Sequence, residues 1–382
     1  MIYCKKCLTT DLRPNAKFYD DICVACDYSD REIDRSEVRL KKLERWLRDS
    51  QRNRKHSSNY DCVVGVSGGK DSTRQALWVR DRLGLKPLLV CVAYPPRQMS
   101  HTGAQNIQNL LKLGFDILMI TPAPQLSRDL SKKSFFAHGN VCSSTEMALF
   151  SGVPRVAIEY KIPLIFWGEN PALQVGDAST IGIDELDGNN LRRLNTLQSS
   201  KADWFLNVEP IKSKIYEYPA VDLFKRQRLQ IIYLGPAWNN WSTDTNAALA
   251  ALNGLHLRPN ERDITGDISE ASMVDEEFTN INMMLKYFKF GFGRATDLVN
   301  EQIRSGKLSR EAAIELVKRF DGICDDRIIR RYCDYIFITY EEFWSVAHSY
   351  VNWDIFSPGT SGPRPVPRFS VGEDFHHTNE PA

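Results

Sequence analysis

The segment Ser67–Ser72, Ser-Gly-Gly-Lys-Asp-Ser, combines residue types that bind phosphate groups. It follows the apolar run Cys62–Val64 and precedes a stretch with helical spacing, which predicts a turn between a buried strand and a helix N-terminus. Such a turn presents free backbone N–H groups and the positive end of the helix dipole to an anion. The glycines allow close approach, Lys70 adds a positive charge, and Asp71 could bind Mg²⁺ carried by a nucleotide.

The segment is neither of the two common nucleotide-binding loops. A Walker A loop needs a glycine where this chain has Val64, and a Ser or Thr where it has Asp71. The G-x-G-x-x-G spacing of dinucleotide-binding loops is also absent. The segment resembles the PP-loop, S-G-G-x-D-S, at every position. This resemblance implies an α/β domain of the adenine nucleotide α-hydrolase-like fold that cleaves ATP between its α and β phosphates; a purely structural glycine turn is the alternative.

Further ATP contacts are expected where neighbouring strands end, because ligands of open parallel sheets bind at the carboxyl ends of the strands. The residues predicted to bind ATP are Ser67, Gly68, Gly69, Lys70, Asp71, Ser72, Val92 and Gly168. Those predicted to act in catalysis are Lys70, Asp71 and Glu169. Glu169 is a candidate for contact with Mg²⁺ or substrate, or else a solvated carboxylate; Asp177 and Asp184 are weaker acidic candidates.

Four cysteines near the N-terminus have the spacing of a metal site. Cys4, Cys7, Cys23 and Cys26 form C-x₂-C-x₁₅-C-x₂-C, which suits a tetrahedral Zn²⁺ held by four thiolates. A zinc ribbon would gain from the metal the folding energy that so small a segment cannot obtain by burial. An iron–sulfur cluster is the alternative. Of the other cysteines, Cys142 precedes a helix and is either functional or an inert thiol.

The elements that must position these residues alternate along the chain. Apolar runs ending near residues 66, 93, 121 and 168 read as strands, with helices predicted from Asp71, His101, Ser127 and Ser143. This pattern predicts a mainly parallel sheet flanked by helices. The predicted units are a zinc ribbon (1–35), a helix and linker (36–58), the PP-loop domain (59–235), a helical C-terminal region (236–356) and an extended or disordered tail (357–382).

The composition predicts a globular protein without a bulk charge for nucleic acid or a membrane. The 382 residues include 49 basic and 48 acidic ones, a formal net charge of +1. No apolar run reaches the roughly 18–20 residues of a membrane span, and the N-terminus lacks a secretory signal. We therefore expect a cytoplasmic protein with no nucleic-acid partner and no membrane partner.

Several segments, in order along the chain, resemble the N-acetyl sugar amidotransferases of the WbpG and PseA type. They are the opening 1–18, the Ser-Gly-Gly-Lys-Asp-Ser loop, Trp-Gly-Glu-Asn-Pro at 167–171, Tyr-Leu-Gly-Pro-Ala-Trp-Asn-Asn-Trp at 233–241, and 289–322. The resemblance implies that ATP and ammonia convert an acetamido group on a nucleotide-linked bacterial surface sugar, such as a lipopolysaccharide O-antigen precursor, into an acetamidino group. It also implies a separate glutaminase and a barrel subunit similar to those of imidazole glycerol phosphate synthase, because no glutaminase is visible in this chain.

Aromatic and polar residues of these segments suggest contacts with the sugar nucleotide. The residues predicted to bind substrate are Asn170, Trp238, Asn239 and Arg294. A place in the core for Trp238 and Trp241, or a helix-capping role for Arg294, is the alternative. The other functions left open are a PP-loop transfer-RNA thiolation enzyme, which would need Cys142, and a non-catalytic nucleotide-binding adaptor.

Overall fold

The computed structural model describes residues 1–32, 35–53, 58–176, 186–189 and 214–376. The chain starts with the hairpin β1 (Phe18–Tyr19) and β2 (Ile22–Cys23), followed by α1 (Val24–Glu32) and α2 (Ser36–Asn53). Helix α1 was not predicted, because few of its nine residues are apolar and their spacing gives no stripe. Residues 54–57 of the predicted linker lie outside the described part.

Five parallel strands form the central sheet of the described chain, in the order β5-β4-β3-β6-β7. They are β3 (Cys62–Gly65), β4 (Pro87–Val92), β5 (Ile117–Ile120), β6 (Leu164–Trp167) and β7 (Gln230–Tyr233). The chain passes from β3 to β4 on one side, and β6 pairs with β3 on the other side. The strand order therefore reverses at β3, and a crevice opens there beyond the carboxyl ends of the strands.

Helices cover both faces of the sheet, as the continuously apolar strands require. They are α3 (Lys70–Asp81), α4 (His101–Lys112), α5 (Pro124–His138), α6 (Ser143–Glu159), α7 (Pro171–Val175) and the helix Val221–Gln227. One core contains Val63, Val90 and Ile165, and the opposite one contains Val64, Leu89 and Phe166. The predicted PP-loop fold, a parallel sheet flanked by helices, is confirmed.

Two details of the domain differ from the predictions. Strand β7 was not predicted from the sequence. Helix α5 begins at Pro124 rather than at Ser127. Proline is favoured in the first helical turn, because a backbone N–H in that turn would have no hydrogen-bond partner within the helix.

The C-terminal region is helical. It contains the helices Thr243–Leu252, Arg262–Thr265, Thr279–Phe290, Arg294–Arg304, Arg310–Phe320, Asp326–Ile336 and Tyr340–His348. Ser309 caps its helix by accepting the Ala312 N–H. In residues 357–376, β9 (Val366–Pro367) pairs with β8 (Phe356–Ser357), and Phe369 is buried in the helical core. No described helix has both the length and the apolar character to cross a membrane.

Candidate active site

A cavity of about 340 Å³ opens at the carboxyl ends of β3 and β4, in the crevice where the strand order reverses. The Ser67–Ser72 loop forms one wall, α6 a second, and residues 271–279 a third. Its lining comprises Gly65, Val66, Ser67, Gly69, Lys70, Asp71, Ser72, Val90, Val92, Tyr94, Gln98, Cys142, Thr145, Glu146, Leu149, Phe150, Val153, Trp167, Glu169, Ala271, Met273, Val274, Asp275, Glu276 and Thr279. The cavity thus joins the PP-loop domain to the start of the helical region.

The loop has the geometry that its sequence predicts. Lys70 is the first residue of α3, so the helix N-terminus points its free N–H groups toward the cavity wall. Gly68 has φ +88°, and a Cβ there would lie 3.1 Å from the backbone nitrogen of Ile107. A side chain at Gly68 would therefore be strained and crowded. Of the predicted ATP residues, all but Gly68 and Gly168 line the cavity.

Gly168 has a structural role beside the loop. A Cβ at this position would lie 2.7 Å from Oε1 of Gln75 and 3.2 Å from the carbonyl oxygen of Asp71. The Gly168 carbonyl also accepts a hydrogen bond from Trp241 Nε1 at 2.8 Å. Gly168 thus lets β6 end close against α3, which brings the next residue, Glu169, to the cavity.

Asp71 is held at both carboxylate oxygens. Its Oδ2 accepts a hydrogen bond from Lys70 Nζ at 2.9 Å, and its Oδ1 accepts one from Asn246 Nδ2 at 2.6 Å. Burial opposes the ionisation of Asp71, but the Lys70 charge and these hydrogen bonds outweigh it and lower the pKa of the carboxyl. An ionised, fixed carboxylate beside the loop is a suitable ligand for the Mg²⁺ of a bound nucleotide.

Glu169 faces the same cavity in a different electrostatic setting. Its Oε2 is buried without a hydrogen-bond partner. Burial, with the neighbouring Asp71 charge as the next cause, raises the pKa of Glu169 to about 7. Asp71 is ionised and Glu169 has a pKa near 7, and two carboxyl groups that differ in this way can play different roles in one reaction.

Residues 271–279 supply acidic groups that the sequence did not reveal. Asp275 accepts a hydrogen bond from Tyr94 Oη at 3.4 Å and lines the cavity together with Ser67 of the loop. Glu276 is only 1% exposed and accepts hydrogen bonds from Gln98, from the backbone of Phe278 and Thr279, and from the Thr279 hydroxyl. Burial raises the pKa of Glu276 to about 8. Isolated acidic residues in a loop have no spacing that marks them as site residues.

Cys142 also lines the cavity, with its Sγ 3.8 Å from Thr279 Oγ1. Burial, then the nearby Glu276 and Glu146 charges, raise the pKa of the thiol well above its ordinary value. The thiol is therefore protonated at neutral pH, which favours the inert alternative over the activated one. Cys62 and Cys91 lie in the sheet core.

The cavity lining is strongly acidic. It contains five carboxyl groups, from Asp71, Glu146, Glu169, Asp275 and Glu276, and one cationic side chain, that of Lys70. Such a lining favours cations and neutral groups, and a polyanion needs metal ions to enter it.

The predicted substrate residues are not brought to this cavity. Asn170 caps α7 through its side chain, and together with Trp238 and Asn239 it lines a separate cavity of about 40 Å³. Trp238 is buried against Trp78 and under the Arg74 guanidinium, as the core alternative required. Arg294 donates to Ser272 Oγ behind the cavity wall. Asn239 is exposed, whereas the contacts just described occupy the side chains of Asn170, Trp238 and Arg294. None of the four lines the main cavity, and their predicted contact with the substrate stays a prediction. Asp177 and Asp184 lie outside the described residues.

The four N-terminal cysteines form a second candidate site. Their Sγ atoms all lie within 4.8 Å of one another, and all four residues are buried. Arg304 of the helical region donates to Cys7 Sγ at 3.7 Å and to the Leu173 carbonyl of α7 at 2.8 Å. The cysteines can hold one metal ion, and Arg304 ties their site to the helix that follows Glu169.

One family model matches the C-terminal region of the chain, and two solved structures are similar to most of its length. Residues 272–359 match the family model of the LPS biosynthesis protein WbpG-like, C-terminal domain, which confirms the WbpG-like resemblance. The chain is similar to the NMN synthetase of Francisella tularensis (14% identity, TM-score 0.36, 78% of this chain and 95% of that one). It is also similar to the U34-tRNA thiolase NcsA of Methanococcus maripaludis with its 4Fe-4S cluster (16% identity, TM-score 0.32, 71% of this chain and 79% of that one). No curated protein matches the chain.

Proposed function

From a PP-loop on one wall of the cavity and a WbpG-like domain that begins at another, we propose that the protein is an ATP-dependent N-acetyl sugar amidotransferase. It would convert an acetamido group of a nucleotide-linked bacterial surface sugar, such as a UDP-linked di-N-acetylated mannuronic acid, into an acetamidino group. The observation that carries this proposal is that the Ser67–Ser72 loop and three residues of the WbpG-like segment, Asp275, Glu276 and Thr279, line one cavity. Both segments are then parts of one site.

The proposed reaction has two steps. The amide oxygen attacks the α-phosphorus of ATP and pyrophosphate leaves, which gives an imidate ester of AMP. Ammonia then adds to the imidate carbon, loses a proton, and expels AMP to leave the amidine. Lys70 and the loop N–H groups would stabilise the charge that develops on the departing pyrophosphate. Asp71 would hold Mg²⁺, which neutralises phosphate charge when bound.

Glu169 suits the proton transfer of the second step. An acid with a pKa of about 7 is partly ionised at neutral pH and can take up the proton that the adding ammonia loses. Glu169 lines the cavity, which places its carboxyl group beside the reacting groups. The acidic lining fits the same chemistry, because the acetamido group is neutral and the ammonium ion is a cation.

We propose Zn²⁺ for the cysteine site, with a structural role. A tetrahedron with Zn–S bonds of 2.3 Å has S–S edges of about 3.8 Å. The Cys7 and Cys23 sulfurs are 3.6 Å apart, close to such an edge. An iron–sulfur cluster places four irons between its thiolates and needs them farther apart. Four protein ligands leave no open position for substrate, so catalysis at this metal is not proposed.

Ammonia would come from a separate glutaminase and a barrel subunit similar to those of imidazole glycerol phosphate synthase, and the reaction would take place in the cytoplasm.

A transfer-RNA thiolation enzyme is the second candidate, favoured by one observation, the position of Cys142 in the cavity. The protonated state of that thiol favours the amidotransferase.

The direct test incubates the protein with ATP, Mg²⁺, ammonium and a UDP-linked di-N-acetylated uronic acid. We expect AMP and pyrophosphate in equal amounts, and a sugar product in which one oxygen is replaced by NH. AMP formation only with transfer RNA, or none with any sugar of a panel of acetamido sugar nucleotides, would reject the proposal.

A further inference from the structure

We propose that Asn246 positions Asp71 for its metal ion, and that Arg74 and Trp238 act on Asp71 through Asn246. The proposal rests on the proposed function to the extent that Asp71 is taken to hold Mg²⁺ beside a bound nucleotide. Asn246 lies on the helix Thr243–Leu252, which packs against α3 and places the asparagine beside the loop residue. Nothing in its sequence surroundings marks it as part of the site.

The Asn246 amide and the Lys70 amine together fix the Asp71 carboxylate. Asn246 is fully buried, and its Nδ2 donates to Asp71 Oδ1 at 2.6 Å while Lys70 Nζ donates to Oδ2 at 2.9 Å. With one donor on each oxygen, rotation of the carboxylate would break a charge-assisted hydrogen bond. The lone pairs that remain on the two oxygens then have a fixed direction for a metal ion.

Arg74 determines the orientation of the Asn246 side-chain amide. It donates to Asn246 Oδ1 through one guanidinium nitrogen, and to Asn240 Oδ1 at 2.6 Å through the other. A guanidinium has donors only, so the Asn246 oxygen must face Arg74 and its NH₂ group must face Asp71. The Trp238 ring, 4.1 Å from the Arg74 carbon Cζ, holds the guanidinium in place by a cation–π contact.

The charge of Arg74 strengthens this arrangement. Arg74 is 7% exposed, and within the described residues it makes no ion pair with a carboxylate. Its positive charge polarises the Asn246 amide, which makes the NH₂ group a better donor to Asp71. Trp238, predicted from sequence to contact the substrate, thus supports the cation behind the loop instead.

The test measures metal binding apart from turnover. Mn²⁺ replaces Mg²⁺ at oxygen ligands and can be counted by electron paramagnetic resonance, in the presence of the α,β-methylene analogue of ATP, which the enzyme cannot cleave. Asn246→Leu keeps the volume of the side chain and removes the donor. We expect an apparent Mn²⁺ dissociation constant about 10-fold to 100-fold higher, the range for a hydrogen bond to a charged group.

Two further variants separate positioning from general damage. Asn106→Ala removes an equally buried amide, one that bonds to the backbone of His256, and should leave Mn²⁺ binding unchanged. Arg74→Met should weaken Mn²⁺ binding in the wild-type background but add little to Asn246→Leu, because Arg74 acts through Asn246. If Asn246→Leu fails to fold, Arg74→Met against Asn106→Ala carries the test.

The outcomes distinguish the inference from the function on which it rests. Unchanged Mn²⁺ binding in Asn246→Leu, or equal losses with the Asn106→Ala control, overturns the role of Asn246 alone. Additive losses from Arg74→Met and Asn246→Leu overturn the action of Arg74 through Asn246. If the wild-type protein binds no Mn²⁺ with the nucleotide analogue, the proposed function fails first.

Discussion

Replacing Glu276 by glutamine should change how the stability of the protein depends on pH. Glu276 is 1% exposed, and burial raises its pKa to about 8, against about 4.3 in an unfolded chain. Between these two values the folded protein keeps a proton that the unfolded chain has lost. The free energy of unfolding therefore falls as the pH rises through this window, and the contribution levels off above the folded pKa.

The expected magnitude follows from the size of the shift. Each pH unit well inside the window lowers the free energy of unfolding by about 1.4 kcal/mol, and the slope decreases near the folded pKa, so the fall from pH 5.5 to 7.5 is about 2.5 kcal/mol. Residue 276 of the Glu276→Gln variant does not titrate, so this fall is absent from the variant. Between pH 5.5 and 7.5 the free energy of unfolding of Glu276→Gln, relative to that of wild type, should therefore rise by the same amount. The variant also turns an NH₂ group toward either the Phe278 or the Thr279 N–H donor, which bond to different carboxylate oxygens, a pH-independent cost of roughly 1–3 kcal/mol. It should therefore be the less stable protein at pH 5.5, with the difference closing or reversing by pH 7.5.

The assay is urea unfolding of the metal-loaded protein at pH 5.5, 6.5 and 7.5, followed by circular dichroism and tryptophan fluorescence together. Glu169, whose pKa is about 7, titrates in the same window but is present in both proteins, so the difference between them isolates Glu276. Glu342→Gln is the control, because Glu342 also accepts a backbone N–H at a helix start but is exposed. A difference between Glu276→Gln and wild type that stays constant over the three pH values would refute the reasoning.

Three further perturbations test the site and the cysteine cluster. Lys70→Met should lower AMP formation by roughly 100-fold or more, because the pyrophosphate loses its cationic contact; pyrophosphate release measures this, and a near wild-type rate would contradict it. Cys142→Ala should leave ammonium-dependent AMP formation unchanged in the same assay, whereas loss of activity would favour sulfur transfer. Removing the metal with a strong chelator should expose the segment Phe18–Glu32 to limited proteolysis, because four of the five buried residues in the cluster around the metal site are the cysteines themselves; an unaltered digestion pattern would argue against a structural metal.

The sequence alone determined the features that depend on neighbouring residues. The Ser67–Ser72 loop is recognisable because a strand, a glycine turn and a helix N-terminus follow one another along the chain. The cysteine pairs are recognisable for the same reason, since two residues of spacing set the distance between thiolates within each pair. The parallel sheet follows from apolar runs that alternate with helices, and four of the five strands were predicted.

Tertiary structure decided the rest of the site. Asp275 and Glu276 lie about two hundred residues after the loop, and Asn246 lies on a separate helix; each is a common residue type at no diagnostic spacing. Trp238 looked like a substrate contact because aromatic side chains serve both cores and sugar sites, and only the packing of α3 shows that it covers Arg74. Which carboxyl is ionised also depends on burial and neighbours, so Asp71 and Glu169 differ in pKa although both follow central strands. Spacing along a chain determines local geometry, whereas contacts between distant segments arise only when their apolar faces are buried together.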